Sequence, residues 1–254
     1  MEFGYRNLRY EESAMDTSHP EDLIVPYTRV MTVSAAYLTG PIHSIAMVGL
    51  GGGRTINYLV KSIPALHVDV AELDPKVVDL AGKYFGVRSG GGVRIYNADG
   101  RIYLRNTPSH YDLIFVDAYR GPFVPFHLTT REFYQLIKRK LNAHGVMVQN
   151  IDPSTLFFDS TIKTVKSVFA NVDVYPADGN IVIVSYDGPR LSDAELTRRA
   201  KLTQATYGFR YSLPTLVAGR DSNPPTASGG SILTDDFAPV ELQTTVKRNN
   251  VKRQ

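Results

Sequence analysis

The sequence predicts an α/β fold: a doubly wound, mostly parallel sheet ending in an antiparallel hairpin, with a short N-terminal extension. Three observations predict it. Between residues 44 and 151, short apolar runs alternate with amphipathic segments, as parallel strands joined by crossover helices do. The apolar runs lack polar alternation, which fits strands covered on both faces. After residue 170, two β-rich runs flank "ADGN", a turn signal between adjacent antiparallel strands.

Each element has its own justification. Residues 1–40 form the extension. There "FGYRNLRYEES" alternates like a strand or half of a hairpin. "HPEDLIVPYTRVMTVSAAYL" reads as a turn and then a helix, with Pro26 in its first turn. Val30, Met31, Val33, Ser34 and Leu38 then share a face. The repeating pattern, a Rossmann-like domain over 41–190, begins after Gly40-Pro41. Strands are expected at 44–50, 67–73, 93–99, 111–119 and 145–151. Helices are expected at 54–63, 75–85, 100–106 and 129–141. A further helix at 157–169 leads into hairpin strands at 171–176 and 180–187. Residues 191–254 read as a C-terminal extension. It holds a polar, mobile loop within 191–230 that contains "RDSNPPTASGG", then "ILTDDFAPVEL" and a basic tail.

Composition narrows the function classes. The chain has 254 residues, 43% hydrophobic and 21% charged, as a soluble globular protein has. No apolar run reaches about 18 residues, so no membrane span is encoded. The charged, aromatic N-terminus does not resemble a secretory signal. With no Cys, disulfides and thiolate metal sites are excluded, and a cytoplasmic setting is compatible. The net charge of +3 is partly local to "VKRNNVKRQ", a solvated tail. No basic stripe interleaved with aromatics argues for nucleic acid. The six His show no metal-ligand spacing, so no metal site is expected.

The chemistry begins at "GLGGGR". Gly49, Gly51 and Gly53 lie between a strand and a helix. Such a loop permits positive φ and lets a ligand approach bare backbone. The helix that follows presents unpaired N–H groups. Glu72 ends the second strand about twenty residues later, where a carboxylate can accept from both ribose hydroxyls. Asp74-Pro75 beside it reads as a helix cap. Asp99, before Gly100, can bind an adenine amino group or cap a helix. Asp117 ends the fourth strand. All four features fall at carboxyl ends of strands, where open α/β sheets bind ligands. A terminal hairpin on such a sheet is also the pattern of class I S-adenosylmethionine-dependent transferases. Arg54 in place of the last fingerprint glycine argues against a nicotinamide site.

The ordered set is "GLGGGR", Glu72-Leu73-Asp74, Asp99-Gly100, "YDLIFVD" (111–117) and "LTTREFY" (128–134). Over roughly residues 20–185 it resembles the polyamine aminopropyltransferase family, the spermidine synthase-like enzymes. The resemblance implies a class I methyltransferase-type fold. It implies decarboxylated S-adenosylmethionine or S-adenosylmethionine as co-substrate, with no metal, and a small-molecule amine as acceptor. It also implies Gly49, Gly51, Gly53 and Gly100 around the nucleoside, Glu72 on the ribose, Asp99 near the adenine and Asp117 as the base. A carboxylate there orients a cationic amine and accepts its proton. Tyr27, Tyr119 and Arg120 are expected at the acceptor side, His127 near the Asp117 loop as an exposed loop histidine or else a pocket wall, and a homodimer is compatible.

The sequence also departs from the family. Arg120 stands where a second acid is usual, and Gly52 where the glycine loop carries Asp. Tyr27-Thr28-Arg29 replaces Tyr-His-Glu. Asp235, Asp236 and Glu241 can supply replacement carboxylates or serve as caps and ion pairs. The alternatives are a methyltransferase using S-adenosylmethionine on another acceptor and a non-catalytic nucleoside-binding domain.

Overall fold

The structure is a computed structural model that describes residues 1–5, 8–11, 13–119, 124–155, 157–224, 227 and 229–236. Arg120, Glu241 and the basic tail therefore lie outside the described residues. At the N-terminus β1 (Glu2–Tyr5) and β2 (Leu8–Glu11) pair as an antiparallel hairpin of their own. The expected helix then begins at Pro26, but α1 (Pro26–Met31) gives way to a 3-10 stretch over Thr32–Tyr37. The expected single apolar face is thereby corrected. The tighter turn buries every residue from Met31 to Tyr37, while Val30 and Leu38 are only partly covered.

The alternating region folds as the pattern dictates. Its elements are β3 (Ser44–Val48), α2 (Arg54–Ser62), β4 (His67–Glu72), α3 (Pro75–Tyr84) and β5 (Val93–Asn97). Then come α4 (Gly100–Asn106), β6 (Tyr111–Val116), α5 (Arg131–Lys140) and β7 (Leu141–Ile151). After α6 (Phe158–Lys166), the hairpin strands are β8 (Asn171–Ala177) and β9 (Asn180–Tyr186). The sheet order is β5-β4-β3-β6-β7-β9-β8, parallel from β5 to β7, with β9 antiparallel to both neighbours.

Successive strand residues point to opposite faces and feed two cores. Ile45, Met47, Leu113, Phe115 and Val148 meet the 3-10 stretch, α2 and the C-terminal helices. Ala46, Val48, Ile114, Val116 and Met147 meet α4, α5 and α6. The chain reverses between β3 and β6, so the C-terminal ends of these two strands frame a crevice.

The 191–230 segment is not a loop throughout. It contains α7 (Asp193–Tyr207) and α8 (Leu213–Val217). Leu196, Ala200, Phe209, Leu213 and Val217 join the first core beside Tyr37. A buried ion pair fastens this region to the sheet. Arg220 Nη1 donates to Asp173 Oδ2 at 2.8 Å, and the Asp173 side chain has no solvent exposure. Tyr37 donates to the same oxygen at 3.0 Å.

Candidate active site

The C-terminal ends of β3, β4, β5 and β6 bring Gly49, Glu72, Asp99 and Asp117 to one edge of the sheet. The backbone sets the depth of each. Gly49 N–H donates to Ala71 O and Asp117 N–H to Val48 O, both at 2.9 Å, which locks the three strand ends together. Gly49 has φ 92°, and a Cβ there would lie 2.3 Å from the Asp117 carbonyl oxygen. Its bare backbone is needed by the strand end beside it. At Gly100 a Cβ would meet Val48 Cγ1 at 2.3 Å. Gly51 and Gly53 also have positive φ, 53° and 61°, and Gly53 is the left-handed cap of α2.

Glu72 braces this loop. Its Oε2 accepts from Leu50 N–H at 2.8 Å and its Oε1 from Asp74 N–H at 2.9 Å. Asp74 caps α3 through Lys76 N–H. Asp99 serves two partners: Oδ1 accepts from Ile102 N–H at 2.9 Å, and Oδ2 faces His127 Nε2 at 2.8 Å. Burial works to raise the Asp99 pKa. The Ile102 amide and the His127 imidazole outweigh it and hold the carboxyl below its ordinary value.

Asp117 is held differently. Oδ2 accepts from the Tyr27 hydroxyl at 3.0 Å, and Oδ1 from Asn150 Nδ2 at 3.0 Å. Both donors are neutral. Burial pushes the Asp117 carboxyl up, and the two hydrogen bonds pull it only part of the way back. A cavity opens beside it, lined by Ser13, Tyr27, Gly51, Gly53, Arg54 and Asp117 among others. Ser13 Oγ accepts from Gly52 N–H at 2.7 Å, so the segment after β2 rests on the glycine loop. The Arg54 guanidinium donates to the Pro20 carbonyl, while its buried Nε has no hydrogen-bond partner among the described residues.

The other expected site residues fall nearby or elsewhere. Tyr119 donates to Asn150 O at 3.0 Å and accepts from Asp152 N–H at 2.9 Å, tying the segment after β6 to the end of β7. Asp235 pairs with Arg101, accepts from the Thr130 hydroxyl at 2.7 Å, and receives no place on the cavity lining. Of its two expected roles, it takes that of an ion-pair partner. Asn150, Asn180 and Ser13 complete the site without any local motif to announce them. Among the described residues no group of three His or acidic side chains is arranged to hold a metal ion. No described helix is long and apolar enough to cross a membrane.

Known proteins share both the sequence and the fold. The "Spermine/spermidine synthase domain" family matches residues 25–178, from α1 into the terminal hairpin. The chain belongs to this family. A polyamine aminopropyltransferase of Vibrio vulnificus is a spermine/spermidine synthase relative at 32% identity over 238 residues. The match covers 88% of this chain and 77% of the relative. Two solved structures show the same fold. One is a spermidine synthase in complex with the transition-state analogue AdoDATO, with TM-score 0.65 and 20% identity. The match covers 79% of this chain and 72% of that one. The other is human methyltransferase-like protein 13 in complex with SAH, with TM-score 0.65 and 22% identity. There the match covers 80% of this chain and 97% of that one. The spermine/spermidine synthase family thus carries the class I methyltransferase-type fold, and the expected fold class and family stand.

Proposed function

We propose that this protein transfers an aminopropyl group from decarboxylated S-adenosylmethionine to a small amine, with Asp117 as the base. The observation that carries the reading is the Asp117 carboxylate. It lines the cavity beside Gly51 and Gly53, and its hydrogen-bond donors among the described residues are the neutral Tyr27 and Asn150. A buried anion without a cation is costly, and a cationic amine supplies the missing charge. The amine must lose a proton before its lone pair can attack. Asp117 takes that proton, and its raised pKa brings it closer to the working pH of a base. The new C–N bond forms as the C–S bond breaks, and the sulfur keeps the electron pair as a neutral thioether. On this reading Glu72 holds the ribose and Asp99 the adenine. Glu72 keeps further lone pairs beyond its two amide partners.

A second reading has support of its own: methyl transfer from intact S-adenosylmethionine. Gly52 removes the acid that the family places in this loop, and Arg54 lines the same cavity with an Nε that has no partner among the described residues. The experiment is calorimetry with decarboxylated S-adenosylmethionine, S-adenosylmethionine and methylthioadenosine, followed by turnover with putrescine and longer amines. Preference for the decarboxylated donor with amine turnover supports the first reading. Preference for the intact donor with no amine product replaces it by the second.

A further inference from the structure

Asn150 faces Asp117 from the end of β7, and a second amide stands behind it. Asn180 Nδ2 donates to Asn150 Oδ1 at 2.8 Å, while Asn150 Nδ2 donates to Asp117 Oδ1 at 3.0 Å. The sheet register builds this line. Asn150 pairs with Val182 across the antiparallel β7–β9 ladder, so Asn180 is its diagonal neighbour on the same face. The tight turn at Asp178 and Gly179, both with positive φ, delivers Asn180 as the first residue of β9.

A side-chain amide has a donor end and an acceptor end of nearly the same shape. Turned over, Asn150 would present its carbonyl oxygen to the Asp117 carboxylate and repel the anion. Asn150 is 3% exposed, so water has little access to correct the error. We infer that Asn180 is a positioning residue for the base. By donating to Asn150 Oδ1 it keeps the donor end of Asn150 toward Asp117 and the carboxylate ionisable. The inference rests on the proposed role of Asp117, but its measurement does not.

The other side chains around Asp117 do not supply this selection. Tyr27 of α1 binds the opposite carboxylate oxygen. Arg54 of α2 lines the cavity and donates to the Pro20 carbonyl. Tyr119 addresses the Asn150 main chain. Among the described residues, the polar side chains that reach the Asp117–Asn150 pair from β7 and β9 are the two amides.

The test is the side-chain carboxyl titration of Asp117, followed by carbon NMR in the ligand-free protein. The proteins compared are wild type, Asn180→Ala, Asn180→Ser, Asn150→Leu and the double variant Asn150→Leu with Asn180→Ala. Asn180→Ala should raise the Asp117 midpoint by about half a pH unit or more. Asn150→Leu should raise it further. The double variant should match Asn150→Leu alone, because Asn180 acts only through Asn150. Asn180→Ser, too short to reach, should behave like Asn180→Ala and serves if alanine disturbs the turn. An unmoved midpoint in both Asn180 variants overturns the inference, and so does simple additivity in the double variant. The acid limb of kcat/KM should move with the NMR midpoint. If the midpoint moves as expected while Asp117→Asn retains full turnover, the relay stands and the base assignment fails.

Discussion

The Tyr27 hydroxyl lies 3.0 Å from Asp117 Oδ2, although the two residues are 90 positions apart. One comes from the first turn of α1 and the other from the end of β6, so the contact joins the N-terminal segment to the sheet. It also leaves a carboxylate at the cavity with neutral hydrogen-bond donors and a raised pKa. Such a group costs stability and is kept for chemistry.

Asp117→Asn separates those two effects. Asparagine can keep both hydrogen bonds by offering its carbonyl to Asn150 and its amide to Tyr27. Turnover should fall about a hundredfold or more, as loss of a general base does. Stability should change in the opposite sense. The Asp117 pKa is higher in the folded than in the unfolded chain. Its contribution is therefore fully present below the unfolded value and is lost as pH rises through the folded one. Asp117→Asn should thus melt higher than wild type at neutral pH, with the gap narrowing as pH falls through the raised folded value and closed by about pH 4. Melting curves across that range, beside an activity assay, decide it. A variant less stable at pH 7 contradicts the assignment.

Tyr27→Phe removes one of the two donors that favour the anion. The acid limb of the pH–rate profile should shift to higher pH, with the plateau rate on the alkaline side changed little. If the limb stays where it is and KM for the acceptor rises instead, Tyr27 acts as an acceptor-binding wall.

Arg220→Met tests the anchoring of the C-terminal helices, away from the chemistry. Removing the cation leaves Asp173 buried with Arg190, Tyr37 and Tyr186 as its remaining partners. The cost should be about 3 kcal/mol, the lower figure for breaking a buried pair. For a chain of this size that is a fall in Tm of roughly ten degrees. Activity per folded molecule should be unchanged. A melting temperature within about two degrees of wild type would show that Arg190 suffices.

The legible parts of this chain are those whose signal is local. The central strands β3, β4 and β6 and the second half of β7 announce themselves because both faces are buried, while the edge strand β5 is only partly covered. The carboxylates at their ends follow from the strand positions alone. Helix α7 is harder to see, since only Leu196 and Ala200 of its fifteen residues are buried and no apolar stripe forms. Its ends do carry signals: Ser192 caps the Glu195 amide, and Gly208 closes the helix in the left-handed conformation. No reading of single segments finds Asn150, Asn180 or Ser13. Each acts on a partner that only the sheet order or the N-terminal path brings near. The position of Gly49 is legible as a glycine, but its reason is not, because the atom it must avoid belongs to Asp117.

Glu72→Gln should lower both affinity and stability. The carboxylate accepts from the Leu50 and Asp74 amides, which leaves the loop and the α3 cap dependent on it. Glutamine offers one acceptor oxygen and turns an NH2 group toward the other amide. A loss of about 1–3 kcal/mol follows for the ligand-free protein, or a few degrees in Tm. Nucleoside affinity should drop about tenfold or more if the same carboxylate also holds the ribose. A change in Tm with affinity intact confines Glu72 to bracing the loop.

The glycine loop allows the sharpest comparison, between Gly49→Ala and Gly51→Ala. Both residues sit at positive φ, so each substitution carries backbone strain of roughly 1 kcal/mol or more. Their surroundings differ. At Gly49 the new methyl group would lie 2.3 Å from the Asp117 carbonyl oxygen and 2.9 Å from Ala118 Cα, both main-chain atoms of the neighbouring strand end. Neither can move without shifting Asp117. At Gly51 it would meet Ser13 Oγ at 3.1 Å among the described residues, a side-chain atom rather than main chain. Gly49→Ala should therefore abolish turnover and lower Tm by several degrees, while Gly51→Ala folds with a smaller loss. Calorimetry with the nucleoside then shows what Gly51 is for. Weakened binding in a well-folded Gly51→Ala protein means that the ligand lies against that backbone. Equal affinity means that the loop's bare surface there serves Ser13, and that the co-substrate is held by the strand-end carboxylates alone.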